Sequence, residues 1–182
     1  AAAEVDDAGW ARIVELAGDP RVRAIGETGL DTDRGFSPLE AQRANLRRNL
    51  ALALETGKPA ILQCRSRQGE RDAQDALVDE LRAAGIGGAA ARQVFGDRPP
   101  AILHSFSGPV DYAETVLGLG LAISFSGLVF RAGDGVRRGR TPQQCAHAAA
   151  ELPDRERLRD VVVGAELEPE HLVELVVAGG GH

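Results

Sequence analysis

Methionine is absent from this chain of 182 residues, and cysteine and aromatic residues are scarce. The two cysteines, Cys64 and Cys145, are too few for a disulfide framework and lack the spacing of metal ligands, so we expect both to be reduced and without a functional role. Phe, Trp and Tyr make up 4% of the residues, which leaves few side chains on which bases of a single strand could stack. A disulfide-rich scaffold is therefore excluded.

Long apolar runs and an excess of positive charge are missing as well. No stretch of about 18 apolar residues exists, and the N-terminus lacks the basic and then apolar pattern of a signal peptide. We therefore expect a cytoplasmic protein that contacts no membrane and has no evident protein partner. The net charge of −6 argues against nucleic-acid binding driven by overall charge, although divalent metal ions in an acidic site would supply positive charge.

The chain does contain enough apolar sequence for a core. Because 43% of its residues are hydrophobic, we expect a single domain over residues 1–178, followed by a disordered tail over 179–182. A chain that begins at Ala1 and has no methionine favours a processed product or a piece of a longer one.

Short apolar segments alternate with stretches of helical periodicity. Strands are predicted near 22–27, 60–65, 101–105, 121–126 and 161–166, helices at 1–17, 38–56, 71–84, 110–119, 141–152 and 169–177, and a connection at 86–100. This alternation favours parallel strands with right-handed crossovers, in a barrel or a doubly wound sheet. The chain is short for a complete eightfold barrel, which usually takes about 250 residues.

The helix predicted at 38–56 has the clearest boundary signals. Ser37 is predicted to cap it, with Pro38 in the first turn and Glu40 completing a capping box. Gly57 suits the position just after the helix, where a left-handed residue ends it.

Polar residues follow the apolar part of each predicted strand. They are Glu27, Gln63 with Arg65, His104 with Ser105, Ser124 with Ser126, and Glu166. Gly26 and Gly29 predict that Glu27 lies at the carboxyl end of its strand, where the chain turns. Oxygen and imidazole donors that meet at this edge of a parallel sheet can hold divalent metals that activate water, which favours a metal-assisted hydrolase. The alternative is a solvated glutamate, a hydrogen-bonded histidine and turn serines.

Four sequence blocks together resemble a known family. They are residues 26–31 (Gly-Glu-Thr-Gly-Leu-Asp), 59–66 (Pro-Ala-Ile-Leu-Gln-Cys-Arg-Ser), 103–108 (Leu-His-Ser-Phe-Ser-Gly) and 123–127 (Ile-Ser-Phe-Ser-Gly). In order and spacing they are similar to successive blocks of the TatD family. The resemblance implies an α/β fold, a TIM-like barrel of the amidohydrolase type, here incomplete. It also implies a site for two divalent metal ions (Mg, Mn or Zn) and a nucleic-acid substrate, since several members are DNases acting on single strands or from 3′ ends.

The resemblance assigns roles to individual residues. Glu27 and His104 match metal ligands of the family, and Gln63 stands where the family has a ligand histidine. An amide oxygen can bind a hard metal ion but is a poorer zinc ligand than imidazole. Glu166 takes the place of the catalytic aspartate of a Glu-Thr-Asp block, and Arg65 is predicted to contact the substrate phosphate. The His-x-His strand that opens the family pattern has no counterpart, so we expect the N-terminal strands to be missing.

Three functions are compatible with these residues. The first is a divalent-metal phosphodiesterase of the DNase type. The second is a non-catalytic homologue or fragment with a degenerate metal site, which the missing ligands favour. The third is a metal hydrolase that cleaves a small phosphate or amide substrate, which the negative net charge favours.

Overall fold

The computed structural model describes residues 5–124, which form a parallel sheet with helices between its strands. The elements in chain order are α1 (Asp7–Ala17), β1 (Ile25–Asp31), α2 (Leu39–Thr56), β2 (Ala60–Arg65), α3 (Asp72–Ala83), α4 (Ala89–Phe95), β3 (Ala101–Leu103), α5 (Val110–Gly118) and β4 (Ala122–Ile123). The strands pair in the order β1-β2-β3-β4, all parallel, which confirms the predicted α/β class. The helices predicted at 141–152 and 169–177, and the strand predicted at 161–166, lie outside the described residues.

One face of the sheet is buried under the helices. Because successive residues of a strand point to opposite faces, Leu62 and Leu103 are fully buried, whereas Ile61 and Ile102 beside them are half-buried on the other face. We call these the helix-covered face and the open face. The helix-covered face also includes Ile25, Leu30, Ala60, Ala101 and Ile123, and the helices pack Leu46, Leu50, Leu77, Leu81 and Val116 into the same core. The core therefore lies on one side of the sheet.

Strand β1 differs from its prediction. Glu27 is not at the carboxyl end of the strand but is its third residue, and the strand continues to Asp31. The pairing with β2 shifts between Ile25 and Thr28, where three steps on β1 match two on β2. This extra residue is a β-bulge, and it changes the alternation so that Ile25, Thr28 and Leu30 are all buried while Glu27 is exposed.

Gly26 and Gly29 lie within β1 and do not make the predicted turn. Gly29 pairs with Gln63, and a Cβ on Gly29 would overlap the backbone carbonyl oxygen of Gln63. Gly29 also has a φ of 143°, which side chains rarely adopt. Glycine is thus required because β1 and β2 approach closely, not because the chain turns.

Helix α2 confirms one predicted boundary and corrects the other. Gly57 follows the helix with a φ of 64°, as predicted, and its N–H donates to the carbonyl of Ala53. The N-terminal cap is Pro38, not Ser37, and no side chain caps this end. The carbonyl of Ser37 instead accepts a hydrogen bond of 2.8 Å from Nε2 of Gln42. A side chain of the helix thus holds the loop that precedes it.

A buried carboxylate joins α2 to α3. Glu80 on α3 is 3% exposed and forms hydrogen bonds with Arg43 (2.6 Å) and Arg47 (both 2.7 Å) on α2. The hydrogen bonds from Arg47 lower the pKa of the Glu80 carboxyl most, and the one from Arg43 lowers it further. Burial acts in the opposite direction, but the pKa stays below its ordinary value. Charge pairing therefore fixes these two helices against each other above the core.

The other helices agree with their predictions to different degrees. Helix α3 matches within one residue, and α5 ends at Gly118. Helix α1 begins at Asp7, capped by Asp6, so residues 5 and 6 of the predicted helix are not helical. Helix α4 lies in the segment predicted to be a connection, and Ala91 and Phe95 anchor it in the core. Across residues 5–124, none of these helices has the length and apolar character needed to cross a membrane.

Candidate active site at the carboxyl edge of the sheet

Two of the predicted site residues, Gln63 and His104, lie side by side with Ser124 at the carboxyl edge of the sheet. Gln63 belongs to β2, and His104 directly follows β3, with its N–H donating to Leu62 at 2.8 Å. Ser124 follows β4, and its N–H donates to Leu103 at 3.0 Å. These hydrogen bonds extend the parallel ladder by one residue, so that the polar positions come side by side on the open face.

Glu27 joins this row through the bulge in β1. When the Gln63 amide is oriented to satisfy both of its neighbours, its nitrogen donates to Oε1 of Glu27 at 2.9 Å and its oxygen accepts from Nη2 of Arg65 at 3.1 Å. Arg65 in turn forms an ion pair of 3.5 Å with Asp31. A continuous polar chain thus runs from Glu27 through Gln63 and Arg65 to Asp31.

Both ring nitrogens of His104 contact serine hydroxyls. Nδ1 lies 3.2 Å from Oγ of Ser124, and Nε2 lies 2.9 Å from Oγ of Ser105. Ser105 has a φ of 50°, a left-handed conformation that is uncommon for a residue with a side chain. A hydroxyl can donate or accept, so these contacts hold the plane of the ring without fixing which nitrogen carries the proton.

The donors of this edge fit a divalent cation in chemical type, but they do not complete a metal site by themselves. Glu27 supplies carboxylate oxygens and His104 an imidazole, which are ordinary ligands for such ions. Within residues 5–124 there is no group of three or more His, Cys, Asp or Glu side chains placed to hold a metal ion. The single donor oxygen of Gln63 already accepts from Arg65. Two strong donors are thus available here.

The structure links some of the predicted site residues by hydrogen bonds and not others. It brings Glu27, Gln63 and Arg65 into one hydrogen-bonded chain and places His104 on the strand next to Gln63. Glu166 lies outside the described residues. Sequence reasoning missed the part of Asp31, whose signal was its place at the end of β1, directly paired in register with Arg65.

Cys64 lies one residue from this edge but points to the opposite, helix-covered face. It is a free thiol packed against the core, and burial raises its pKa to about 12. The neighbouring Tyr112 hydroxyl is also held neutral, because burial raises its pKa. Since the thiolate is the reactive form of cysteine, this burial disfavours reaction at Cys64. Cys145 lies outside the described residues.

Comparison with known proteins gives this edge a family context. The profile of the family described as "TatD related DNase" matches residues 1–144. A protein named 3'-5' ssDNA/RNA exonuclease TatD from Rahnella sp. (strain Y9602) is 39% identical over 119 residues, covering 65% of this chain and 39% of the relative. One of the same name from Enterobacter lignolyticus (strain SCF1) is 36% identical over 129 residues, covering 68% of this chain and 44% of the relative.

A solved structure supports the fold. The crystal structure of YJJV, a TatD homologue from Escherichia coli K12, superimposes with a TM-score of 0.60 at 21% identity, covering 93% of this chain and 60% of that one. The chain therefore belongs to the TatD related DNase family, which confirms the resemblance, and the solved neighbour confirms the TIM-like fold, of which residues 5–124 supply four parallel strands. It spans about two fifths of the length of the curated relatives named above.

Proposed function

We propose that this chain acts as a divalent-metal-dependent nuclease, which hydrolyses phosphodiester bonds of single-stranded nucleic acid. The observation that supports the proposal most is the family match over residues 1–144, together with relatives named 3'-5' ssDNA/RNA exonuclease. The exposed Glu27 and the hydrogen-bonded His104 at the strand edge are the side chains that suit this activity. A metal ion bound there would supply an activated water and positive charge for the phosphate.

The residues of the edge have separate roles in this proposal. Glu27 and His104 are the metal ligands, and Gln63 orients the Glu27 carboxylate through its amide nitrogen. Gln63 is the weaker third ligand, because its oxygen must leave Arg65 before it can bind an ion. Ser105 and Ser124 hold the ring of His104 in place. Glu166, predicted to act as the base, is part of the same proposal.

Arg65 is the proposed contact for the substrate phosphate. Its guanidinium has five N–H donors, of which Gln63 and Asp31 engage a part. The remaining donors suit the bidentate binding of a phosphate. Asp31 limits the motion of the side chain, so that the guanidinium is already oriented before the substrate binds.

The direct test is cleavage of 5′-labelled single-stranded DNA and RNA by the purified chain with Mg²⁺, Mn²⁺ or Zn²⁺. We expect products that shorten from the 3′ end, and we expect chelation by EDTA to stop the reaction. Glu27→Gln and His104→Asn should each lower the rate at least a hundredfold, since each removes a metal ligand. Glu55→Gln on the exposed side of α2 is the matched control and should leave the rate unchanged. No cleavage with any of the metals would contradict the proposal.

A specific observation favours a second candidate, a non-catalytic homologue with a degenerate metal site. The strand edge offers only two strong metal donors within residues 5–124, and the third position is an amide that already bridges Glu27 and Arg65. Metal content after loading and dialysis separates the two candidates. Metal retained by the wild type and lost by Glu27→Gln supports the nuclease, whereas no retained metal supports the degenerate site.

A further inference from the structure

An exposed aromatic side chain stands beside the candidate active site. Phe36 exposes 74% of its surface, whereas the other large apolar residues exposed in the described chain, Val14, Leu16 and Val94, expose 44% or less. Phe36 lies in the loop that leaves the carboxyl end of β1, at the edge of the sheet where the candidate site lies. In a chain with so few aromatic residues, this exposure at a ligand-binding edge calls for an explanation.

The loop that carries Phe36 is braced. The side chain of Gln42 on α2 accepts from the Asp31 N–H at 2.7 Å and donates to the Asp31 carbonyl at 3.1 Å and the Ser37 carbonyl at 2.8 Å. The Arg34 N–H also donates to Asp31 at 2.9 Å. Gln42 therefore connects both ends of the loop, at Asp31 and at Ser37, and the backbone that carries Phe36 is held in place.

Phe36 lines a cavity of about 500 Å³ that is widely open to solvent. Thr32, Arg67 and Asp72 form other parts of its wall, with Asp31 between the cavity and Arg65. Since Arg65 contacts Gln63 and Gln63 contacts Glu27, the cavity adjoins the polar chain of the site. A ligand group in the cavity is thus within reach of a strand whose phosphate lies at Arg65.

The charges of the cavity favour a neutral, hydrogen-bonding ring over a phosphate. Asp31 and Asp72 would repel an anion, although both are engaged, Asp31 by Arg65 and Asp72 by the Thr32 hydroxyl at 2.8 Å. Arg67 also lines the cavity, where its charge partly balances that of Asp72. A nucleobase has an apolar face for Phe36 and polar edges for Thr32, Asp72 and Arg67.

We infer that Phe36 is the stacking platform for a base of the single-stranded substrate, in a cavity adjoining the catalytic edge. The inference rests on the proposed nuclease function and adds a base subsite to it. Stacking on an aromatic ring tolerates every base, because each has a π face, and so it suits an enzyme that removes nucleotides one after another. Phe36 is thereby a substrate-binding residue and not a catalytic one.

The test is a double-mutant cycle between Phe36 and the bases of the ligand. The probe is a phosphorothioate single strand of about ten nucleotides, within the range of single-strand site sizes, which resists cleavage. Its bases are removed one at a time to leave abasic positions. For the wild type, one or two neighbouring abasic positions should weaken binding about tenfold, measured by fluorescence anisotropy with Mg²⁺ or Mn²⁺ present.

Phe36→Leu keeps an apolar side chain but removes the ring. We expect it to weaken binding of the intact strand about tenfold, to add nothing to the loss at those abasic positions, and we expect Phe36→Trp to restore binding. Leu16→Ala on α1, outside the cavity, is the control and should bind as the wild type does. Photo-crosslinking of a strand containing 5-iodouracil should label Phe36 and not its Leu variant.

The outcomes separate this inference from the proposed function. If Phe36→Leu weakens intact and abasic strands by the same factor, or not at all, while the wild type binds, the base subsite is wrong and the nuclease proposal stands. If the wild type binds no strand with any of the metals, both proposals are wrong for this chain.

Discussion

The two faces of the sheet carry different parts of the protein. On the helix-covered face, Leu62 and Leu103 are fully buried in a core made mainly of apolar side chains. On the open face, the strands begin with half-buried Ile61 and Ile102 and end in Gln63 and His104. Burial is therefore concentrated on one face and the candidate site lies on the other, so substitutions one residue apart in the same strand should differ in their consequences.

The largest loss of stability is expected at Gly29, where β1 approaches β2 so closely that no side chain fits between them. Gly29→Ala would drive a methyl group into the Gln63 carbonyl and impose a side chain on a φ of 143°. We expect a loss of about 4 kcal/mol or more in the free energy of unfolding, measured by urea denaturation followed by circular dichroism. Gly35→Ala is the matched control, because its φ is also positive, at 59°, but no atom lies within 4 Å of the added methyl. It should cost only about 1 kcal/mol. Equal losses would contradict the close approach of β1 to β2.

The difference between the faces can be measured directly within β2. Leu62→Ala removes a fully buried side chain from the helix-covered face and should cost about 2–5 kcal/mol. Ile61→Ala removes a half-buried side chain from the open face and should cost about 1 kcal/mol. The same denaturation measurement serves for both variants. A larger loss for Ile61→Ala would show that the core lies on the other side of the sheet.

The ion pairs above the helix-covered face predict a pH dependence of stability. Glu80→Gln removes the charge that Arg43 and Arg47 share and should cost about 1–3 kcal/mol at pH 7. The pKa of Glu80 is lower in the folded chain than in the unfolded chain, so the unfolded chain binds more protons in acid. The contribution of Glu80 is therefore fully present above its ordinary pKa and is lost as the pH falls through the lowered one.

Unfolding of the wild type and of Glu80→Gln between pH 7 and pH 3 tests this sign. The gap in free energy between them should close toward low pH, because a protonated Glu80 resembles glutamine. A gap that stays constant or widens in acid would mean that Glu80 does not act through its charge. Glu55→Gln, on the exposed side of α2, should show no such gap at any pH.

The smallest effect on the free energy of unfolding is expected for a polar residue of the candidate site, whose substitution should change metal binding instead. Gln63→His places an imidazole between Glu27 and His104 in the row of strand ends. Imidazole binds zinc better than an amide oxygen, so the dissociation constant for Zn²⁺ should fall about tenfold in a competition titration with a chelating dye. Gln63→Asn, which keeps the amide but shortens its reach, should not tighten binding. If Gln63→His leaves the affinity unchanged, Glu27 and His104 do not serve the same ion.

Much of the fold could be predicted because the signals are local. Strand β2 has the predicted bounds, and Gly57 ends α2 as predicted, since apolar runs and a left-handed glycine need no distant partner to be recognised. Helix α4 was missed because it buries only Ala91 and Phe95. Two buried residues in a segment rich in glycine and alanine do not make a recognisable helical period. The cap at Ser37 was wrong because the first hydrogen bond of the helix, from the Gln42 N–H, goes to the carbonyl of Pro38, one residue further along the chain.

The residues of the candidate site could be selected from the sequence, but the contacts between them could not. Glu27, Gln63, Arg65 and His104 could be selected because each follows an apolar run and matches a family block. Their hydrogen bonds could not be predicted, because they depend on which residues of separate strands stand opposite one another. The roles of these residues as metal ligands and phosphate contact, like that of Glu166 as a base, stay predictions.

The sequence by itself determined the alternation of strands and helices apart from α4, the family and the residue types at the strand ends, because periodicity, glycine positions and motif spacing are properties of the chain alone. Only the tertiary structure decided that Glu27 sits in a bulge, that Gly29 exists for a close approach to Gln63, and that Phe36 stands on a loop braced by Gln42. The physical reason is strand register. A shift of one residue exchanges the two faces of a strand, and the register is fixed by packing between segments that are far apart in the sequence.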